Sequence, residues 1–134
     1  MHVLLDTGPL VAILNRRDTY HMWSVEQARH LAPPLYTSEA VLAEAHFLLA
    51  GVNQGNRRLI DLISSSRICC QSIASENLDH VGELMLRYAN VPMSFADACL
   101  VAMAENEPST VFTLDRGFRI YHKNRSERLR LLLP

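Results

Sequence analysis

Val3-Leu4-Leu5-Asp6-Thr7-Gly8-Pro9 and Val111-Phe112-Thr113-Leu114-Asp115-Arg116-Gly117 share one pattern: a short apolar run that ends on an acid and a turn. Apolar residues in an unbroken short run, without polar alternation, describe a strand covered on both faces, the habit of parallel sheets. Placing an acid at the end of such a run sends its side chain off the strand's carboxyl end. In an open α/β sheet that is where the crevice lies at which strand order reverses. The two stretches therefore predict both a fold and the position of a site.

Working outward from them, the remaining chain alternates short apolar strands with helical periodicity. His2 to Leu5 is the first strand, and Pro9 is placed at the first helical position of a helix from Leu10 to Leu14. Asp18 caps a second helix reaching about Leu31, before Pro33-Pro34 stops it. Leu35 to Thr37 is a strand, and Ser38 caps a long helix from Glu39 to Ala50, closed by Gly51. Asn56 to Ile63 is helical, with Arg57 and Asp61 paired one turn apart, and Arg67 to Cys70 is the third strand. Ser75 caps a helix carrying Leu78, Val81, Leu84, Met85 and Tyr88, and Ser94 opens another from Phe95 to Glu105. Val111 to Leu114 and Leu129 to Leu133 complete five strands. The expectation is one α/β domain over residues 1–134, a five-stranded parallel sheet flanked by helices on both faces.

Composition agrees. With 134 residues, 49% hydrophobic and 20% charged, the chain buries a sizeable core and is not disordered. The formal charge of −1 does not announce a nucleic-acid binder. However, Arg116, Arg119, Lys123, Arg125, Arg128 and Arg130 crowd the stretch after Asp115, where Glu127 is the only acid. This cluster is either a solvated face or a phosphate-contacting rim, with Arg116 and Arg119 nearest the acid. Cys69, Cys70 and Cys99 lack ligand spacing and read as structural thiols of a reducing compartment. No run approaches the roughly 18 apolar residues of a membrane span, and no signal-peptide pattern precedes Asp6, so a cytoplasmic protein is expected.

Asp6, Glu44, Asp97 and Asp115 all follow or interrupt apolar stretches, and none of those segments holds a Lys or Arg before Arg116. A carboxylate in such a place pairs or takes up a proton. Four acids without a basic partner point to a shared hard divalent cation, Mg²⁺ or Mn²⁺, which accepts oxygen ligands and substrate phosphate oxygens. Each acid also has a plain explanation. Asp6 caps a turn, Asp97 completes a Ser94 capping box, Glu44 faces solvent, and Asp115-Arg116-Gly117 is a turn. Thr7 and Thr113 stand beside Asp6 and Asp115, where their hydroxyls bond either metal-bound water or backbone groups. The six histidines show no ligand spacing.

The four segments Leu4–Ala12, Ser38–Glu44, Ser94–Ala98 and Val111–Phe118 resemble, in order and spacing, the four acidic motifs of PIN-domain ribonucleases, and in length the VapC-type toxins among them. Asp18-Thr19-Tyr20-His21 resembles the Asp-x-x-His stretch that follows the first motif in that family. The resemblance implies Mg²⁺- or Mn²⁺-dependent cleavage of RNA phosphodiesters, with Asp6, Glu44, Asp97 and Asp115 as catalytic and metal-holding residues and Thr113 in support. It also implies a homodimer and, for the toxins, a small antitoxin that occludes the site. Two other readings stand beside it: a catalytically inactive PIN fold serving as an RNA-binding module, and a Mg²⁺-binding receiver-like signalling domain. The second is disfavoured because the only lysine, Lys123, lies well beyond Asp115 and no acceptor aspartate follows the third strand. An aspartic protease, which shares Asp6-Thr7-Gly8, is all-β and does not fit the helical spacing.

Overall fold

The computed structural model describes residues 2–134; Met1, where the expected domain begins, lies outside the described residues. The elements in chain order are β1 (His2–Leu5), α1 (Thr7–Leu14), α2 (His21–Arg29), β2 (Leu35–Thr37), α3 (Glu39–Leu48), α4 (Gly55–Ser64), β3 (Ile68–Cys70), α5 (Leu78–Arg87), α6 (Phe95–Asn106), β4 (Ser109–Phe112), β5 (His122–Lys123), β6 (Glu127–Arg128) and β7 (Arg130–Leu132). Five strands form a sheet in the order β3-β2-β1-β4-β7, and every pairing within it is parallel. From β1 the chain moves outward through β2 to β3, then returns across the sheet to β4 on the other side of β1. The switch point therefore falls between β1 and β4, whose register pairs Leu5 with Phe112.

Unbroken apolar runs are what this topology requires. Val3, Leu4 and Leu5 are all buried, as are Val111, Phe112 and Thr113, although successive side chains point to opposite faces. Both faces of the central strands are thus covered. Leu4, Leu10, Val41, Leu84, Leu100 and Phe112 are fully enclosed in the common core. Removing one of these leucine side chains to alanine costs about 2–5 kcal/mol, depending on how far the cavity collapses. Helix α6 is the most enclosed helix, with every residue from Ala96 to Ala104 buried. Its small Ala side chains let it pack closely among the neighbouring elements.

Several boundaries differ from the sequence expectation, each for a local reason. Helix α1 begins at Thr7, because Asp6 Oδ1 accepts the Thr7 amide and caps the helix directly. Pro9 is then the third helical residue, where an amide would have no intrahelical acceptor anyway. Asp18 closes a turn, accepting the Tyr20 amide at 2.9 Å, and α2 starts only at His21. Ser75 opens a 3₁₀ turn (Ser75–Asn77) and makes no cap bond there. Helix α3 stops at Leu48, before the expected Ala50. Strand β4 stops at Phe112, because Thr113 turns its hydroxyl back to the Asp115 amide at 2.9 Å. The antiparallel pair β5–β6 has no counterpart in the sequence expectation; Asn124 and Arg125, both at positive φ, make its turn.

Candidate active site

Asp6 leaves the end of β1 at the switch point and caps α1. Its Oδ1 accepts from the Thr7 amide at 2.8 Å, and its Oδ2 accepts from the Thr113 hydroxyl at 2.7 Å. Thr113 is fully buried and sits just past β4, so one hydroxyl ties the ends of the two strands together. The same oxygen receives the Asp115 amide, which fixes where the third acid emerges. Asp115 Oδ1 in turn accepts the Gly117 amide at 2.7 Å and caps the 3₁₀ turn Arg116–Arg119. A Cβ at Gly117 would stand 3.0 Å from that Oδ1, a spacing that leaves little room for any larger residue.

Asp97 enters from α6. Ser94 caps the helix by accepting the Asp97 amide at 3.0 Å, and Asp97 Oδ2 returns the bond by accepting the Ser94 amide at 3.2 Å. The capping reading of Asp97 is therefore correct, and it does not exclude a second role. That same Oδ2 accepts the Tyr121 hydroxyl at 3.1 Å. Tyr121 is buried, packed edge-on against Tyr88 and Phe118. Sequence reasoning missed this partner, because Tyr121 lies in a cationic stretch with no motif of its own.

Glu44 reaches the crevice from the middle of α3, where its Oε1 accepts the Thr7 hydroxyl at 2.9 Å. Thr7 and Thr113 thus bond the acids themselves; the expected partners, metal-bound water or backbone, apply only in part, through the Asp115 amide. Asp6, Glu44, Asp97 and Asp115 all line one crevice of about 480 Å³, together with Thr7 and Ser94. The premise that all four charges stand in apolar surroundings holds for two. Asp6 and Asp97 are buried, whereas Glu44 and Asp115 are exposed at the mouth. Val41 and Ala45 take the core-facing side of α3, which leaves Glu44 on the open side.

Burial sets the electrostatics. Together with the smaller push of the nearby Asp97 and Asp115 charges, it raises the Asp6 carboxyl to about 7, against the lowering effect of the Thr113 and Thr7 bonds. Burial also raises Asp97; the Ser94 and Tyr121 bonds oppose the rise and Asp115 adds to it. Desolvation and the Asp97 charge raise the Tyr121 hydroxyl, so it stays a donor. No Lys, Arg or His makes an ion pair with any of the four acids among the described residues. A set of oxygen donors without a cationic partner has the chemistry a hard divalent cation requires. The side chains stand apart, however: among the described residues no three such donors are already gathered closely enough to hold an ion.

Other candidates fall elsewhere. Arg116 and Arg119 are exposed on the turn beyond Asp115 and do not line the crevice. Lys123 is paired with Glu127 at 3.7 Å. His21 of the Asp-x-x-His stretch has Nδ1 2.6 Å from the Ala12 carbonyl, so it joins α2 to α1 and stays out of the site. Among the described residues no helix is long and apolar enough to cross a membrane.

The model of the PIN domain family matches residues 3–124 of this chain. Solved structures that share its fold include the following two. The Mycobacterium tuberculosis VapC20, a sarcin-ricin loop cleaving toxin, aligns with a TM-score of 0.76 at 19% identity, covering 84% of this chain and 89% of that one. VapBC2 from Rickettsia felis, bound to a DNA fragment from its promoter, aligns with a TM-score of 0.64 at 20% identity, covering 100% of this chain and 99% of that one. Comparison with curated protein sequences returns no match. Topology, the acid-lined switch point and the family match over most of the length agree: the chain belongs to the PIN-domain family.

Proposed function

We propose that this protein is a Mg²⁺- or Mn²⁺-dependent endoribonuclease, the toxin of a toxin–antitoxin pair. The observation that carries the reading is four carboxylates without basic partners around one crevice at the β1/β4 switch point. The fold relatives include a toxin that cleaves an RNA loop and a VapBC complex.

In this reading Asp6, Asp97 and Asp115 hold the cation, and Glu44 holds a second ion or orients the attacking water. A bound cation supplies a more acidic water and offsets the charge of the scissile phosphate. The remaining work belongs to the chain. Thr113 fixes the Asp6 carboxylate and the Asp115 backbone in one relative position. Ser94 and Tyr121 both bond Asp97 Oδ2 and so fix the carboxylate where it lines the crevice. Thr7 holds Glu44 toward α1. Phosphate entering this acidic crevice is repelled until the cation is in place, so RNA binding and metal binding reinforce each other. Arg116 and Arg119 sit close enough in sequence to Asp115 to steady a flanking phosphate. A small antitoxin covering the site and a homodimer complete the proposal.

The test is incubation of purified protein with structured RNAs, a sarcin-ricin loop fragment among them, in Mg²⁺, Mn²⁺ and EDTA. Metal-dependent internal cleavage that disappears in Asp6→Asn is expected. Metal-independent cleavage, or none on any RNA by antitoxin-free protein, rejects the proposal.

A further inference from the structure

A cavity larger than the acidic crevice lies at the other end of α1; it has a volume of about 670 Å³ and is lined by Asn15, Arg16, Arg17, Asn53, Gln54 and Arg58 among others, with no acid. Three guanidinium groups facing one concave space repel each other, and a protein that keeps them together without carboxylates leaves a deficit of negative charge there. The side chains of Arg16 and Arg17 are exposed and make no ion pair or hydrogen bond among the described residues. Arg58 is different. Its Nη2 donates to the Leu14 carbonyl at 3.1 Å and to the Asn53 carbonyl at 3.4 Å, so it is held in place by the end of α1 and the loop before α4. Its Nε is buried and has no partner, one donor left over on a fixed guanidinium. Arg57, on the neighbouring position, is by contrast paired with Asp61 at 3.8 Å.

Position relates this cavity to the crevice. Asp6 and Thr7 stand at the start of α1, and Asn15 stands just past its end. From Thr7 to Asn15 the helix rises about 12 Å at 1.5 Å per residue. Helix α3 packs against α1 and contributes Glu44 and Leu48 to the crevice, and the turn that follows α3 contributes Gly51 and Val52 to the cavity. The two spaces therefore lie toward opposite ends of α1, on the side where α3 and its following turn pack. A strand of helical nucleic acid carries about one phosphate per 3.4 Å of axis, so a chain held at both ends spans about three or four phosphates.

We propose that Arg16, Arg17 and Arg58 form a phosphate subsite that holds the RNA backbone away from the cleaved bond, on the α1 side of the acidic crevice. The inference rests on the ribonuclease reading for the identity of the polyanion. The cavity commits to a nucleic acid over an acidic protein segment because its lining is polar and cationic, with only Val52 to receive an apolar side chain. Arginine presents the fork that matches phosphate oxygens in a bidentate manner. Through this subsite an acidic crevice attracts a polyanion before the metal has neutralised it.

The experiment uses the full chain and a fluorescent single-stranded RNA of twelve nucleotides in EDTA, where no cleavage occurs, with anisotropy read across a salt series. Arg16→Ala/Arg17→Ala removes two exposed side chains that make no hydrogen bond or ion pair, so the variant folds; circular dichroism verifies this. It should bind about tenfold or more weakly at low salt, and the slope of log K against log salt should flatten by about 1.4, or 0.7 for each phosphate no longer neutralised. Arg16→Lys/Arg17→Lys should keep the slope. In Mg²⁺ the Ala variant should raise KM and leave kcat near wild type. An unchanged slope and KM overturn the subsite even where the wild type cleaves RNA. Binding with the full slope change in a protein that never cleaves leaves the subsite standing and overturns the ribonuclease reading. A variant that binds RNA normally but loses affinity for an acidic peptide assigns the cavity to a protein partner and overturns the proposal.

Discussion

The Thr113 hydroxyl donates to Asp6 Oδ2 at 2.7 Å, joining residues that stand just past β4 and β1. The bond spans the two parallel strands between which the strand order reverses, so one buried hydroxyl ties the two sides of the crevice together. Thr113→Val keeps the shape and removes the donor. It leaves Asp6 Oδ2 with one bond fewer and the Asp115 amide without its acceptor. Loss of a partner that orients a metal ligand typically costs 10–100-fold in metal affinity or activity, and calorimetric titration with Mn²⁺ should show a drop of that size. Thr113→Ser, which restores the hydroxyl, should recover most of it. Equal affinity in Val and wild type would show that Thr113 only fills space.

The metal-free protein should lose stability as pH rises from about 4 to about 7. An unfolded aspartate releases its proton near 3.9, whereas folded Asp6 does so at about 7. Between those values the folded state keeps a proton that the unfolded state has lost, so raising the pH favours unfolding. Above about 7 the effect of Asp6 is complete. Burial raises Asp97 as well, in the same direction. Thermal melts in EDTA at half-unit pH steps should show a falling Tm over this window, and Asp6→Asn should flatten much of the fall. A Tm that climbs across the same interval would contradict the desolvation of Asp6.

Much of this was readable from residue order, and the parts that were not have a common cause. Two unalternating apolar runs ending on acids marked both stretches as buried strands of a parallel sheet with their acids at its carboxyl end, because full burial on both faces leaves no room for polar alternation; that the two strands are neighbours came from the structure. The Ser94-x-x-Asp97 box named both the cap and the acid that α6 presents, since capping is a local interaction. The solvent-facing reading of Glu44 was one of two alternatives and the exposure of Asp115 was not legible: hydropathy counts neighbours along the chain, whereas the face an acid occupies depends on what packs from elsewhere. Tyr121 was hidden for the same reason, since its bond to Asp97 Oδ2 is closed by the 3₁₀ turn and the aromatic packing with Tyr88 and Phe118. Arg58 is far in sequence from Arg16 and Arg17, and the three meet only where the start of α4 packs against the end of α1.

Tyr121→Phe removes the hydroxyl bond to Asp97 and keeps the ring packing. A hydrogen bond to a charged group contributes about 1.5–3 kcal/mol. In the metal-free protein at high pH, where carboxylates are ionised, the variant should therefore melt several degrees below wild type. At low pH, where Asp97 takes up a proton more readily than an ordinary aspartate because of its burial, the gap should narrow. Denaturant titrations at high and low pH measure the difference, and a gap that does not depend on pH would mean that Tyr121 acts through packing alone.

Asp97 separates helix capping from membership of a metal site. As a cap alone, its charge near the start of α6 stabilises the fold by about 0.3–1 kcal/mol. As one of several acids in a desolvated crevice, its charge is opposed by burial and by Asp115, as its raised proton affinity indicates. Asp97→Asn tells these apart, because an amide oxygen can still accept from both the Ser94 amide and the Tyr121 hydroxyl while the charge is gone. With the repulsion relieved, the variant should melt higher than wild type in EDTA at pH 7.5. Added Mg²⁺ or Mn²⁺ stabilises the wild type by mass action, by about 2.7 kcal/mol at one hundred times Kd. The variant should lose most of that gain, so the order of the two melting temperatures should reverse when saturating metal replaces EDTA. A variant that melts lower in EDTA and gains as much from metal as the wild type would leave Asp97 a helix cap and nothing more.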